Sequence, residues 1–247
     1  KNPELANNYG LLHASTYDNE KNLPDDYIPS LLEAYPAELI EAYLNGQFVN
    51  LQAGTVYRNY DRTTHRSKEV VTESEPLFIG MDFNVQNMAA TIFVKRGKAF
   101  HAVDELKDVF DTPEMARIIK ERYKDKGHRV IIYPDASGSS RKSQDASSSD
   151  LSILRSFGFE VRAKKKNPAV KDRVLSVNKA FEDGLLFVND VKCPAVAESL
   201  EQQAYDKNGE PDKTSGHDHM NDAGTYPIAY EMPVKKPVAD VAIRFAI

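Results

Sequence analysis

Two aspartates stand at the ends of apolar stretches that have the pattern of buried strands. Asp82 ends the stretch Leu77-Phe78-Ile79-Gly80-Met81, and Asp135 follows Arg129-Val130-Ile131-Ile132-Tyr133-Pro134. If two such strands are parallel neighbours, their carboxyl ends lie at one edge of the sheet, where ligands of open α/β sheets bind. Taken singly, each aspartate is equally well explained as the first residue of a loop, since Asp commonly follows a strand.

A third group of polar side chains is concentrated in residues 217–222, where four of six residues can bind a metal or a proton: His217, Asp218, His219 and Asp222. On a helix, Asp218 and Asp222 are four residues apart and His219 and Asp222 three apart, so they share a face. The alternative is a polar first turn in which Asp218 interacts with the helix dipole. The density of such residues favours a site.

Aspartates on two strand ends and one helix are suited to a hard divalent cation, because Mg²⁺ prefers oxygen ligands and keeps open positions for water and phosphate. Two ions about 3.5–4 Å apart would stabilise both the attacking and the leaving oxygen of a phosphodiester during in-line displacement. Zinc is less well supported, because His217 and His219 project from different sides of a helix. A phosphatase with Asp82 as nucleophile is also less well supported, because Asn84 replaces the second aspartate of Asp-x-Asp.

The elements expected to position these residues begin with a run of strands and then alternate in type. Strands are predicted at 77–83, 91–94, 99–103, 129–133, 159–162 and 185–188, and helices at 27–35, 36–44, 112–123, 150–157, 171–183, 195–203 and 217–231. A meander followed by strand–helix units predicts an α/β fold with a mixed sheet, antiparallel at first and then parallel. Ser30, Thr112 and Asp150 are predicted N-caps, and Pro227 is expected to kink or end the last helix.

The composition is that of an ordinary globular protein, with 247 residues, 41% apolar residues, 28% charged residues and a net charge of −5. No stretch approaches the roughly 20 apolar residues of a membrane span. The single cysteine, Cys193, excludes an internal disulfide and a cysteine-rich zinc site, and fits a reducing compartment. Residues 155–173 contain seven Lys and Arg residues against two acidic ones. This basic segment either holds a phosphate backbone or is a solvated face.

Four pieces of sequence together carry a resemblance to a known family. They are Gly80-Met81-Asp82-Phe83-Asn84, Tyr133-Pro134-Asp135-Ala136-Ser137, Lys171-Asp172-Arg173-Val174 with Asp183-Gly184-Leu185-Leu186 after it, and Asp218-His219-Met220-Asn221-Asp222-Ala223. In this combination, over about residues 77–231, the chain resembles the ribonuclease-H-like nuclease half of tailed-bacteriophage terminase large subunits. The resemblance implies one or two Mg²⁺ or Mn²⁺ ions bound by Asp82, Asp135 and Asp222, with His219 as an accessory and Asp218 as a further candidate.

The resemblance also implies an activity, which is metal-dependent cleavage of concatemeric viral double-stranded DNA during genome packaging, with low sequence specificity. The basic residues expected to contact the DNA backbone are Lys95, Arg96, Lys98, Arg162, Lys164, Lys165, Lys166, Lys171 and Arg173. The implied partners are double-stranded DNA, a terminase small subunit and a portal protein, in the host cytoplasm and without membrane attachment. The competing hypothesis is a non-catalytic docking or DNA-binding module of the packaging motor.

The chain begins at Lys1 and is expected to be a fragment of a longer protein. Residues 1–60, which include Leu39-Ile40-Glu41-Ala42-Tyr43-Leu44-Asn45-Gly46, resemble the end of the family's ATPase domain. Residues 61–76 are predicted to be a linker, 77–231 the nuclease domain and 232–247 a tail. The sequence has no Gly-x-x-x-x-Gly-Lys-[Ser/Thr] phosphate-binding loop, so ATP hydrolysis is not expected from this fragment.

Overall fold

The fold is described from a computed structural model, which covers residues 14–34, 40, 44, 54–84, 87–136 and 149–234. The chain divides into two compact units, one formed by residues 1–50 and 235–247 and the other by residues 51–234. Most of the predicted helix at 36–44 and most of the predicted tail lie outside the described residues. Within the described ranges, no helix is both long enough and apolar enough to cross a membrane.

The first unit contains two short helical elements in its described part. A 3-10 helix, Thr16–Asn22, begins with a capping box in which Ser15 accepts a hydrogen bond from the Asp18 backbone. Helix α1, Tyr27–Ala34, confirms the predicted helix. The prediction that Ser30 caps it is wrong, because Ser30 lies inside α1 and its hydroxyl donates to the Asp26 carbonyl.

The second unit is built on a six-stranded mixed sheet, as predicted from the sequence. Its strands are β1 (Leu77–Asp82), β2 (Met88–Arg96), β3 (Ala99–Val109), β4 (Val130–Pro134), β5 (Glu160–Val161) and β6 (Leu186–Val188), in the spatial order β5-β4-β1-β2-β3-β6. The first three strands form an antiparallel meander. The pairs β1–β4, β4–β5 and β3–β6 are parallel. This arrangement is consistent with a ribonuclease-H-like fold.

Five α-helices follow the meander in the described part of the chain: α2 (Thr112–Arg122), α3 (Asp150–Ser156), α4 (Val170–Glu182), α5 (Pro194–Gln202) and α6 (Asp218–Glu231). The predicted N-caps of α2 and α3 are each wrong by one residue. Asp111 caps α2 by accepting from the Glu114 backbone, and Ser149 caps α3 by accepting from the Ser152 backbone. Thr112 is instead buried, and its hydroxyl donates to Asp150.

The sheet is covered on both faces, which gives two apolar cores. One face packs on α4, α5 and α6 through a cluster that includes Phe93, Phe100 and Phe181. The other face packs on α2 and α3 through a cluster that includes Ile92 and Met115. Because both faces are buried, β1 and β2 are almost continuously apolar rather than alternating.

The segments before β1 also pack on this unit. Val56 and Tyr57 are buried in the core beside α4, although the sequence assigned them to the N-terminal region. In the polar segment 61–76, which was predicted to be a linker, the His65 ring bonds to the Phe181 carbonyl. The Ser67 backbone donates to the Val188 carbonyl at the edge strand β6.

Helix α6 approaches the middle of β1 closely enough that only glycine fits there. A Cβ atom on Gly80 would lie 1.8 Å from the Ala223 carbonyl oxygen and 2.6 Å from Pro227 Cδ. In an ordinary helix, the backbone N–H of residue 227 would donate to the Ala223 carbonyl, four residues earlier. Proline has no N–H, so the Ala223 carbonyl lacks this bond. The expectation that Pro227 could end the helix is wrong, since α6 continues to Glu231.

Candidate metal centre

The carboxyl ends of β1 and β4 meet at one edge of the sheet and bring two of the candidate aspartates together. The two strands are parallel with Met81 opposite Pro134. The register continues for one more residue, because the Asp135 backbone N–H donates to the Met81 carbonyl at 3.0 Å. Asp82 and Asp135 therefore follow neighbouring strands at matched positions, as the two apolar stretches indicated.

Asp82 is held by the histidine that the sequence identified as an accessory. Its Oδ2 lies 3.0 Å from His219 Nδ1, and the Asn84 side-chain nitrogen lies 2.8 Å from His219 Nε2. The hydrogen-bond network assigns the proton to Nδ1, which donates to Asp82, and leaves Nε2 to accept from Asn84. Asn84 thus orients His219, and His219 orients Asp82.

The electrostatic environment of Asp82 shows that the carboxylates are concentrated here. Only 7% of Asp82 is exposed. Burial raises the pKa of Asp82 from 3.8 to about 6, with repulsion from Asp222 and, more weakly, from Asp135 adding to it, while the bond to His219 lowers it. Two further carboxylates are thus close enough to disfavour ionisation of the first.

Asp222 lies in the second turn of α6 and is bound by an arginine from α4. Its Oδ1 accepts from Arg173 Nη1 at 2.8 Å. The same Nη1 donates to Thr225 Oγ1 at 3.0 Å, and the guanidinium lies over the Tyr226 ring, 4.7 Å from its centroid. Asp222 is partly exposed, whereas the Arg173 side chain is only 5% exposed.

Asp135 is bound from the loop that leads into α4. Its Oδ1 accepts from the Asn167 side-chain nitrogen at 2.7 Å, and Asn167 Oδ1 in turn accepts from the Ala136 backbone at 2.8 Å. Asn167 therefore connects the end of β4 to the basic loop formed by residues 164–166.

Asp218 lies at the start of α6, buried beside His219. Its Oδ2 is 3.9 Å from His219 Nδ1, and its buried Oδ1 has no hydrogen-bond partner among the described residues. A cleft of about 150 Å³ adjoins this helix start and is lined by residues that include His217, His219, Lys107 and Asp108. Across the part of the chain that the structure describes, no three His, Cys, Asp or Glu side chains are already arranged to hold one ion. The donor chemistry nonetheless fits a hard divalent cation, because buried, mutually repelling carboxylates gain most from one.

Comparison with known proteins identifies the family. The model of the Terminase RNaseH-like domain matches residues 79–231, which include all three aspartates. The chain belongs to this family. None of the curated proteins compared with the chain matches it.

Solved terminase structures have the same fold as this chain. The large terminase of a thermophilic bacteriophage, in complex with ATP-γ-S, has 20% identity and a TM-score of 0.65, covering 92% of this chain and 57% of its own. The P22 large terminase nuclease domain has 14% identity and a TM-score of 0.56 over 76% of this chain and 97% of its own. The cobalt-bound nuclease of thermophilic phage G20c has 13% identity and a TM-score of 0.51, covering 72% and 97%. The chain thus spans little more than half the length of the first of these proteins.

The basic residues predicted to contact DNA fall into separate places in this terminase domain. Lys164, Lys165 and Lys166 are exposed, and the Lys164 ammonium lies over the Tyr230 ring at 4.5 Å. Lys171 is also exposed, at the start of α4. Arg162 is already bonded to Glu231, Glu160 and the Tyr133 hydroxyl.

The β2–β3 turn lies at the other end of the sheet. Asp82 pairs with Ala89, and Lys95 is six residues further along β2, about 20 Å along the strand. Lys98 lies in the same turn. Arg96 is engaged by Glu69 and Glu75. Contact of Lys95, Arg96 and Lys98 with DNA remains a prediction, and they lie away from the carboxylates.

Three side chains of the site were not singled out in these roles by the sequence: Asn167, Tyr226 and Arg173. Burial raises the pKa of Tyr226, and Arg173 lowers it. Asp135, Asp222 and Asp82 raise it further, so this tyrosine lies near all three aspartates. Arg173 was counted among the DNA contacts, but it is buried against Asp222. The apolar spacing of Val174, Val177 and Phe181 in α4 could have indicated an inward-facing Arg173.

Proposed function

We propose that this chain is a divalent-metal-dependent endonuclease that cuts double-stranded concatemeric viral DNA during genome packaging, with low sequence specificity. The observation that carries the proposal is the meeting of Asp82 and Asp135 at one sheet edge, within electrostatic range of Asp222. Membership of the Terminase RNaseH-like domain family supports it. The cobalt reported for the G20c nuclease supports the use of a divalent ion.

Asp82, Asp135 and Asp222 would hold Mg²⁺ or Mn²⁺, as one or two ions, with His219 as an accessory and Asp218 as a further candidate. When bound, the metal supplies Lewis-acid activation of water and neutralises charge on the scissile phosphodiester. The protein contributes orientation: His219 fixes one oxygen of Asp82, and Asn167 fixes one oxygen of Asp135. Neighbouring carboxylates repel one another, which favours filling the site with cations.

The basic loop 164–166 would bind the DNA backbone beside this site. Its three lysines are exposed and directly precede Asn167, which bonds to Asp135. Phosphate contacts of this kind carry no base preference, which agrees with low sequence specificity. Lys171 would extend the same contact toward α4.

The wider packaging role requires the rest of the protein. We propose that this chain works as the nuclease part of a longer terminase large subunit in the host cytoplasm, together with a small subunit and a portal protein. Residues 1–60 would be the C-terminal end of its ATPase domain. The chain itself has no Gly-x-x-x-x-Gly-Lys-[Ser/Thr] phosphate-binding loop, so we expect it to cleave DNA without hydrolysing ATP.

Plasmid nicking tests the proposal. In Mg²⁺ or Mn²⁺ the wild-type chain should convert supercoiled plasmid to nicked and linear forms, and a chelator should stop the reaction. Asp82→Asn, Asp135→Asn and Asp222→Asn should each abolish cleavage while the protein remains folded by circular dichroism. The matched control is Asp125→Asn, whose aspartate pairs with Lys120 on the surface. Wild-type activity in the three site variants would refute the assignment.

One observation favours a second candidate, the non-catalytic docking or DNA-binding module. Among the described residues there is no group of three His, Cys, Asp or Glu side chains arranged to hold an ion. Calorimetric titration with Mn²⁺ separates the two candidates. Binding that disappears in Asp82→Asn supports the nuclease. If the wild-type chain binds DNA but no Mn²⁺, the docking module is the better description.

A further inference from the structure

Arg173 occupies an unusual position for a residue in a basic segment. Its side chain is 5% exposed, while Lys171, two residues earlier on α4, is exposed. A buried guanidinium loses its hydration and remains charged, so it has to be compensated by nearby polar groups. The compensation comes from α6, the helix that carries Asp222.

Among the described residues, the side-chain hydrogen bonds and the ring contact of Arg173 fall on one face of α6. Nη1 bonds to Asp222 Oδ1 at 2.8 Å and to Thr225 Oγ1 at 3.0 Å, and the Tyr226 ring supports the guanidinium from its face. Residues 222, 225 and 226 are spaced i, i+3 and i+4, so they form one surface of a helix. The Thr225 hydroxyl also donates to the Asp222 carbonyl at 3.0 Å. Arg173 therefore holds the Asp222 carboxylate, while Thr225 joins the guanidinium to the backbone of the same helical turn.

This geometry leaves one oxygen of Asp222 for another ligand. Oδ1 is taken by Arg173, and the described residues provide no hydrogen bond to Oδ2. His219 orients Asp82 in the same way, because it bonds to Asp82 Oδ2 and leaves Asp82 Oδ1 for another ligand. Polar partners that orient the ligands of a metal contribute to its affinity, because they fix the direction of the ligand oxygen.

We propose that Arg173 is a positioning residue that holds Asp222 by one oxygen and presents the other to the divalent ion. The inference rests on the proposed function, because it assumes that Asp222 is a ligand. It replaces the expectation that Arg173 contacts DNA, which its burial does not allow.

Whether metal affinity rises or falls when Arg173 is removed shows whether Arg173 positions Asp222 or acts only through its charge. A positive charge beside the site repels a cation, so removing Arg173 would tighten metal binding if charge were its only influence. If Arg173 positions Asp222, its removal releases the carboxylate and weakens binding in spite of the lost repulsion. Loss of an orienting partner of this kind typically costs about 10–100-fold in metal affinity.

The experiment measures Mn²⁺ affinity by electron paramagnetic resonance on the full 247-residue chain. Arg173→Met should bind Mn²⁺ about 10–100-fold more weakly than the wild type. Arg173→Lys keeps the charge, but its ammonium ends one bond short of the Nη1 position and has no planar group to lie over the Tyr226 ring, so it should also bind weakly. The control Arg117→Met removes a surface arginine paired with Glu121 and should leave the affinity unchanged.

Three results would overturn the inference: unchanged affinity in Arg173→Met, tighter binding in it, or full affinity in Arg173→Lys. If Arg173→Met does not fold, Arg173→Lys decides by the same measurement. DNA affinity measured in chelator should be unchanged in Arg173→Lys, and a marked loss would restore the DNA-contact role. A wild-type chain that binds no Mn²⁺ would instead refute the proposed function, which keeps the two failures distinct.

Discussion

Neutralising Asp82 should stabilise the metal-free protein, although it removes a residue that we place at the centre of the site. Asp82 is buried, and its pKa is raised to about 6 by burial and by repulsion from Asp222 and Asp135. The folded state therefore holds a proton on this carboxyl more tightly than the unfolded state does. Stability falls as pH rises from about 4 to about 6 and the group ionises. Asp82→Asn keeps the shape of the side chain without the charge.

The size of the effect follows from the difference between 3.8 and about 6. At 1.36 kcal/mol for each pKa unit, the ionised carboxylate costs the fold about 3 kcal/mol at neutral pH. Below pH of about 4 both states are protonated and the cost vanishes. For a domain of this size, about 1 kcal/mol corresponds to roughly 2–4 °C in Tm. Asp82→Asn should thus unfold roughly 6–12 °C higher than the wild type at neutral pH.

The assay is thermal unfolding in chelator, followed by circular dichroism from about pH 4 to about pH 8 across the titration range. The difference between Asp82→Asn and wild type should be near zero at the acid end and reach its full size at the alkaline end. Glu182→Gln, an exposed carboxylate at the end of α4, serves as the control and should follow the wild type throughout. A difference that is absent, opposite in sign or independent of pH would refute the electrostatic reasoning.

The remaining predictions concern the approach of α6 to the sheet and the DNA surface. Gly80→Ala should destabilise the protein by several kcal/mol in urea denaturation and weaken Mn²⁺ binding. The reason is that the added Cβ would collide with the Ala223 carbonyl oxygen, 1.8 Å away. Wild-type stability in this variant would contradict the close approach of α6 to β1. Gly224→Ala should stabilise the protein by up to about 1 kcal/mol, because alanine has the higher helix propensity and the nearest atom to its Cβ would be 3.6 Å away. A loss of stability comparable to that of Gly80→Ala would be inconsistent with the packing of α6. Replacing lysines 164–166 by methionine should reduce the slope of log affinity for DNA against log salt by about 3, and an unchanged slope would exclude this loop.

The strand ends were predictable because hydrophobic pattern alone defines them. The apolar stretches before Asp82 and Asp135 indicated buried strands, and parallel neighbours of a mixed sheet end at the same edge. The helix with His219 and Asp222 was predictable from spacing. What pattern could not supply is the pairing of particular polar atoms. Asn167 lies in a loop without periodicity, so its bond to Asp135 depends on tertiary contacts.

At two positions, Arg173 and Pro227, packing overrode a local rule. Arg173 belongs to a basic run, and such runs are usually solvated, but here α4 turns it toward Asp222. Pro227 usually disrupts a helix interior, but the carbonyl that it leaves without an N–H, that of Ala223, packs against Gly80. The link between Gly80 and Pro227 depends on the packing of α6 across β1. The sequence alone does not show this packing.

The three aspartates are each bonded to a donor from a different part of the chain: Asp82 to His219, Asp135 to Asn167 and Asp222 to Arg173. Of these donors only Arg173 is permanently charged, so one buried positive charge faces three carboxylates. Burial first, and repulsion from Asp222 and Asp135 second, raise the pKa of Asp82, and a divalent cation would offset the repulsion. Binding of an ion to the folded state alone stabilises that state by about 2.7 kcal/mol at 100 times Kd. The metal-dependent part of the stability therefore rises with the logarithm of the ion concentration, whereas the cost of ionised Asp82 is set by pH.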